Sequence, residues 1–519
     1  MTGTLFQRFE EVVRRQPVAP ALVVQQHELS YAEFAELVER VAGQLVHVAG
    51  ERPRAVGILA SRTLAAYAGY LAALRLGAMV VPLGPAFPPE RNRLICRSAA
   101  VDVLLSDEAG AETADAVVDG TGIRQLALLG DWPGHLPGHR ADAVLSSPDD
   151  IAYTLFTSGS TGIPKGVPIR HRNLVDFLDL MIRRFEVGPG CRLSQAFELT
   201  FDPSVFDMFV SWCAGATLVV PQASEIFTPV RFINEQQLTH WYSVPSVISL
   251  ARRLRLLRSG CMPDLRWSLF AGEQLTYSQA RAWLAAAPHS TLDNLYGPTE
   301  LTVTCTGYRL PADPSAWPAT ANETVPIGRP NPHLAAVLLD ESGLATDDGE
   351  LCVRGSQRFG GYLDSAENAG RFVEYRADAG TAQPVQGVPT AEHWYRTGDR
   401  VREQDGEYVH LGRLDDQVKI HGYRIELGEI ESMLRRHPGV HDVVLLALPG
   451  ADGEFSLSAL YTGTDEVTET ALAELVARRL PSYMAPTRYL RVDGFPVNSN
   501  GKIDRRRLAA ESGLTNSPP

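Results

Sequence analysis

Ala55-Val56-Gly57-Ile58-Leu59-Ala60 is followed by a helix-length apolar segment over 63–76 and then by Met79-Val80-Val81-Pro82-Leu83, with Gly, Pro or Ser punctuating the changes. A short apolar run, a helix and a second short run predict two parallel strands joined by a crossover, and so an α/β architecture with largely parallel sheets. The rhythm recurs at 217–220, 241–244 and 267–270, each a strand candidate followed by a turn or helix. There is no internal repeat of fixed period.

A chain of 519 residues exceeds what one hydrophobic core usually serves, and 45% hydrophobic residues supply the material for more than one. Segments 408–411, 443–448 and 457–461 read as strands and 428–436 and 470–479 as helices, enough for a small α+β domain at the C-terminal end. The division expected is a large domain over 1–414, of mixed sheets with helices, and a small mobile one over 415–519. Within the large domain, 374–392 loses its apolar period and reads as an exposed insertion or flexible crossing without chemistry. The polar tail 511–519 ends Pro-Pro and is expected to be disordered.

Acidic residues outnumber basic ones 61 to 48, for a net charge of -13, which argues against a nucleic-acid binder and against docking to an anionic membrane. Six cysteines without CxxC pairing read as small core residues in a reducing compartment. The N-terminal pattern Leu5, Phe6, Phe9, Val12, Val13 is broken by charges, so it is a helix and not a secretory h-region. The apolar run 64–74 is too short to span a bilayer. A cytoplasmic location is expected.

Thr157-Ser158-Gly159-Ser160-Thr161-Gly162-Ile163-Pro164-Lys165-Gly166 places three glycines, four hydroxyls and a lysine together just after the apolar run 151–156. Such a loop can bring backbone N–H groups, hydroxyls and one cation against a phosphate. The order Lys165-Gly166-Val167 lacks the Gly-Lys-Ser/Thr ending of a P-loop, so a P-loop NTPase is disfavoured.

Further motifs follow in order. Leu29-Ser30-Tyr31-Ala32-Glu33-Phe34 precedes the loop, and Phe201-Asp202-Pro203-Ser204 and Asn294-Leu295-Tyr296-Gly297-Pro298-Thr299-Glu300 come after it. Then come Gly349-Glu350-Leu351, Tyr395-Arg396-Thr397-Gly398-Asp399, Gly412-Arg413-Leu414-Asp415, Lys419-Ile420-His421-Gly422-Tyr423-Arg424-Ile425-Glu426 and Asn500-Gly501-Lys502-Ile503-Asp504-Arg505. From about residue 29 to 505 the series resembles the adenylate-forming enzymes, and within them the adenylation domains of nonribosomal peptide synthesis.

That resemblance implies a reaction. A carboxylate attacks the α-phosphorus of ATP, pyrophosphate leaves, and the acyl-adenylate passes to the thiol of a phosphopantetheine arm. It also implies roles. Thr157, Ser158, Gly159, Ser160, Thr161, Gly162 and Lys165 would close on the phosphates, with Gly272, Glu273, Asn294, Gly297 and Thr299 as further nucleotide contacts. Tyr296 would face adenine, Glu300 would hold Mg²⁺, and Asp399 would accept from the ribose hydroxyls with Arg413 assisting. Lys502 would bridge the attacking carboxylate and the α-phosphate, so the small domain must close and later withdraw about a hinge at Asp415.

Asp202 favours an amino acid over a fatty or aromatic acid, because a buried substrate nitrogen needs a charged partner. The family pattern continues the pocket through Pro203, Phe206, Tyr242, Leu269, Ala271, Leu295, Val303 and Thr304, with Lys502 completing it. This set holds no second acid and resembles that of free-standing L-prolyl-AMP ligases of pyrrole-2-carboxyl biosynthesis. L-proline is therefore the expected substrate, with alanine or valine as alternatives and an acyl- or aryl-CoA ligase as the rival class. With no carrier module after Arg505, the expected partner is a separate peptidyl carrier protein.

Overall fold

The computed structural model describes residues 3–159, 163–415, 417–420, 422–449, 455–496, 503 and 505–514. Strand Ala55–Leu59, helix Leu64–Arg75 and strand Met79–Leu83 form in the order their pattern predicts, and the strands pair in parallel. Every residue of Ala55–Leu59 is buried, the signature of a strand covered on both faces. The sheet around this pair runs Arg124–Ala127, Val103–Ser106, Ala55–Leu59, Met79–Leu83, Ile151–Thr157, Lys165–Arg170. Lys165 thus opens a strand, not a helix, as its Lys-Gly-Val order requires.

A second sheet runs Arg329–Pro330, Thr306–Arg309, Thr291–Tyr296, Trp267–Phe270, His240–Ser243, Arg192–Ser194, Thr217–Val220, Pro20–Val24, His27–Ser30. Its inner strands, from Thr291–Tyr296 to Pro20–Val24, are parallel, and the edges are antiparallel. Ser30 and Glu33 of the 29–34 motif form a capping box on helix Tyr31–Ala49, which contributes about 1 kcal/mol. Tyr31 then reaches the Ala216 carbonyl at 2.7 Å, and its ring joins Phe9, Phe34 and Trp212 in the core.

The third sheet departs from the parallel expectation. Leu334–Leu339, Asp348–Gly355, Trp394–Gln404, Phe372–Arg376 and Thr381–Pro384 are antiparallel, and Glu407–Arg413 pairs with Trp394–Gln404. The reading of 374–392 as exposed holds, but as a flexible crossing it is corrected, because Phe372–Arg376 and Thr381–Pro384 make an ordered hairpin. Its outer strand is held by backbone ladder bonds and buries little, so no alternation of apolar residues was needed to form it.

The chain divides into two compact units: Met1–Pro85, Arg93–Phe156 and Gly166–Leu414 in one, Ala86–Asn92, Thr157–Lys165 and Asp415–Pro519 in the other. In the second, helices Leu427–Leu434 and Glu469–Arg479 cover the sheet Val440–Pro449, Phe455–Gly463, Arg488–Arg491, with Ile430, Leu434, Leu445, Leu472 and Val476 in its core. Helix Arg505–Glu511 takes in the first residue of the tail, and 515–519 lie outside the described residues. All six cysteines are free thiols and five are buried. Among the described residues no helix is long and apolar enough to cross a membrane.

Candidate active site

Asp399 and Arg413 face each other across the antiparallel ladder of Trp394–Gln404 and Glu407–Arg413. The Arg413 guanidinium lies 3.2 Å from Asp399 Oδ2, and both side chains are under 10% exposed. The Tyr296 hydroxyl, from the end of strand Thr291–Tyr296, donates to the same oxygen at 2.6 Å. Burial, then the Asp399 carboxylate, push the Tyr296 phenol well above its ordinary range, so it stays a donor. His410 Nε2 is 3.0 Å from Asp399 Oδ1. A register shift between Arg400 and Val401 pairs Val401 with His410 and leaves Leu411 as the extra residue. The bulge thereby gives His410, not Leu411, the face shared by Asp399 and Arg413.

Glu300 is fully buried in the short helix Thr299–Leu301 and accepts from the Tyr362 hydroxyl at 2.7 Å. Tyr362 in turn lies 3.2 Å from the Tyr395 hydroxyl. The turn before it needs Gly297: a Cβ there would sit 2.6 Å from Thr304 Cα and 2.7 Å from the Val303 carbonyl oxygen. Thr302 and Val303 both take left-handed backbone, φ 58° and 69°, which costs β-branched residues energy and marks this loop as over-determined by its surroundings. Asn294 spends its amide donors on the Val325 and Pro326 carbonyls, and Glu273 accepts from the Ser246 backbone N–H, while Gly272 has φ 90°.

Tyr242, Leu269, Ala271 and Leu295 come from the carboxyl ends of neighbouring parallel strands, where open α/β sheets place their ligands. All four are buried, with Phe206, Val303 and Thr304. Phe206 and Tyr242 pack edge to face at 4.9 Å. Asp202 and Pro203 begin helix Pro203–Ala214, and Asp202 is 9% exposed. Burial, then Asp207 and Asp202, hold the Tyr242 phenol well above its usual value. Among the described residues, the Tyr242 hydroxyl and Thr304 Oγ1 have no hydrogen-bond partner.

The loop residues belong to the second unit. Ser158 Oγ donates to the Arg424 carbonyl at 2.8 Å and accepts the Glu426 N–H at 3.2 Å. The Gly159 N–H donates to Glu429 at 3.2 Å, and Arg91 pairs with the same carboxylate at 2.6 Å. An acid therefore takes the glycine N–H in the manner expected of an anion. Lys165 is 6% exposed. Asp415 accepts from the Gln417 N–H at 3.3 Å. Ser160, Thr161, Gly162 and Lys502 lie outside the described residues.

Within the first unit, then, Tyr296, Asp399 and Arg413 are brought into direct contact. Sequence reasoning missed Tyr362, His410 and Glu429. Glu429 stands three residues after the 419–426 motif and could have been included with it. Tyr362 lies in a stretch without periodicity, and His410 is placed by a bulge that no pattern announces.

Residues 9–363 match the family model described as AMP-binding enzyme, and 429–502 match that of the AMP-binding enzyme C-terminal domain. Tyrocidine synthase 3 of Brevibacillus parabrevis is 32% identical over 518 residues, covering 97% of this chain and 8% of that protein. The chain spans 6%, 8% and 46% of the length of three curated relatives that it matches, this synthase among them. The structure of the Vibrio cholerae adenylation domain AlmE in complex with glycyl-adenosine-5'-phosphate matches with TM-score 0.82 at 27% identity, over 99% of this chain and 98% of that one. NpsA-ThdA, an artificially fused adenylation-PCP di-domain from Klebsiella oxytoca, matches with TM-score 0.79 at 25% identity, over 94% of each.

Proposed function

The chain belongs to the AMP-binding, adenylate-forming enzymes, and on that premise we propose that it activates L-proline with ATP as prolyl-AMP and passes the acyl group to the phosphopantetheine thiol of a separate peptidyl carrier protein. Asp202 carries this reading. It is a carboxylate almost removed from water at the head of a helix, next to a pocket of Phe206, Leu269, Ala271 and Leu295. A fatty or aromatic acid offers it no partner, whereas an amino-acid nitrogen does. The apolar lining supports a small ring as the side chain.

In this reading Asp399 holds the ribose hydroxyls, Tyr296 faces the base, and the 157–165 loop and Lys502 act on the phosphates and the reacting carboxylate. The core runs over 1–414 and the Lys502 domain over 415–519, with the hinge at Asp415. Among the described residues no three His, Cys, Asp or Glu cluster as a metal site. Glu300, a fully buried carboxylate, would hold Mg²⁺, a hard cation that prefers oxygen ligands. When bound, the ion neutralises charge on the phosphates.

A second reading, a small amino acid bearing a hydroxyl, is favoured by the buried Tyr242 and Thr304 hydroxyls. Amino-acid-dependent exchange of labelled pyrophosphate into ATP, run across the proteinogenic amino acids, separates the two. Proline should dominate, and Asp202→Ala should abolish its exchange. Exchange driven by serine or threonine would select the second reading, and exchange driven only by fatty or aromatic acids would sink both.

A further inference from the structure

His410 is held at both ring nitrogens. Nε2 lies 3.0 Å from Asp399 Oδ1, and Nδ1 lies 3.1 Å from the Gln274 side-chain nitrogen. That amide nitrogen also donates to the His410 carbonyl oxygen at 2.9 Å. A carbonyl can only accept, so the amide must present its NH₂ on this side. An amide NH₂ has two hydrogens and no lone pair to accept with. One hydrogen goes to the carbonyl and the other to Nδ1, which makes Nδ1 the acceptor and places the imidazole proton on Nε2, pointing at Asp399.

Asn322 donates to the same His410 carbonyl at 3.0 Å, so the backbone is fixed as well as the ring. On the other side of Asp399, Tyr296 and Arg413 hold Oδ2. The two carboxylate oxygens are thus served by different donors, and a rotation of the carboxylate would break contacts at both ends.

We propose that Gln274 and His410 are positioning residues that set the orientation of Asp399 for a nucleoside ribose. Gln274 selects the imidazole tautomer and His410 pins one carboxylate oxygen, so that the carboxylate is held in one rotation. This rests on the reading of Asp399 as the ribose acceptor. The relay sharpens the preference that the aspartate itself confers for a nucleotide with both ribose hydroxyls over one without them.

Calorimetric binding of ATP and of 2',3'-dideoxy-ATP to the full chain tests it without knowledge of the amino acid. His410→Phe keeps a ring beside Tyr296 but removes the donor. It should weaken ATP about ten-fold, the size of one hydrogen bond to a charged group, and dideoxy-ATP much less, so that the preference narrows. Gln274→Leu should narrow it in the same direction, and His410→Gln, whose amide can donate, should restore part of it. Unchanged affinities in His410→Phe, or equal losses for both nucleotides, overturn the proposal; if His410→Phe does not fold, Gln274→Leu decides by the same two readouts. Asp399→Ala separates the layers. An intact preference there defeats the ribose reading itself, whereas a lost preference there beside an intact one in His410→Phe defeats only the relay.

Discussion

Asp399 and Asp207 are both buried aspartates of the same unit, and their surroundings make them opposites. Asp399 receives Tyr296, His410 and Arg413 within 3.2 Å. Asp207, one position after Phe206 on helix Pro203–Ala214, has no hydrogen-bond partner on either carboxylate oxygen among the described residues. Burial pushes its carboxyl well above the ordinary range, and the polar backbone of Ala196, which makes no hydrogen bond of normal geometry to it, offsets this only in part. The difference teaches that depth does not decide what a buried acid can do. Donors decide: with them the group is an oriented acceptor, and without them it keeps its proton and behaves as a small polar filler.

The largest effect should come from removing the better-served acid. Asp399→Ala takes away the proposed ribose acceptor and leaves Arg413 buried without this partner. ATP affinity should fall about 100-fold, near 3 kcal/mol, as two charge-assisted hydrogen bonds of roughly 1.5 kcal/mol each are lost. Calorimetry reads this directly. Wild-type affinity in the variant would erase the contrast from the Asp399 side.

His240 asks whether hydrogen bonds to neutral groups are enough. Its ring nitrogens meet Thr239 Oγ1 and the Phe185 carbonyl, both at 2.8 Å, yet burial lowers its pKa to about 4. The folded state therefore refuses a proton that the unfolded chain accepts below its ordinary value of 6.5. Stability should fall as pH drops from that value toward about 4, with a loss near 2 kcal/mol at about pH 5. His240→Gln should flatten this slope in denaturant melts taken between neutral and mildly acidic pH. An unchanged slope would show that neutral partners do shield a buried ionisable group.

The same contrast explains what was legible in the sequence. Runs such as Ala55–Leu59 and Met79–Leu83 were readable because a strand covered on both faces tends to be apolar throughout. Hairpin Phe372–Arg376 and Thr381–Pro384 was not, since its ladder is made by backbone groups that every residue carries. Asp399 and Arg413 were visible as motif members. His410 was hidden, because alternation assigns that face to Leu411 and only the bulge reverses it. Asp207 was hidden for a different reason: an acid inside an apolar helix pattern looks like a surface position until the core closes over it.

The smallest effect should come from the unserved acid, and there the direction is more telling than the size. A carboxyl whose folded pKa is raised contributes its full stability below its unfolded value and loses it as pH rises toward and through the folded one. Asp207→Asn keeps the shape, cannot ionise, and so removes that loss. Relative to wild type, the variant should gain thermal stability progressively as pH rises above the ordinary carboxyl value of 3.8, while ATP affinity stays the same. His240 and every other titrating group are common to both proteins and cancel in the difference, so the sign of the change with pH reports Asp207 alone. A variant that instead loses stability as pH rises would mean that Asp207 is ionised and paired in the folded state, and the two acids would then differ in their partners but not in their charge.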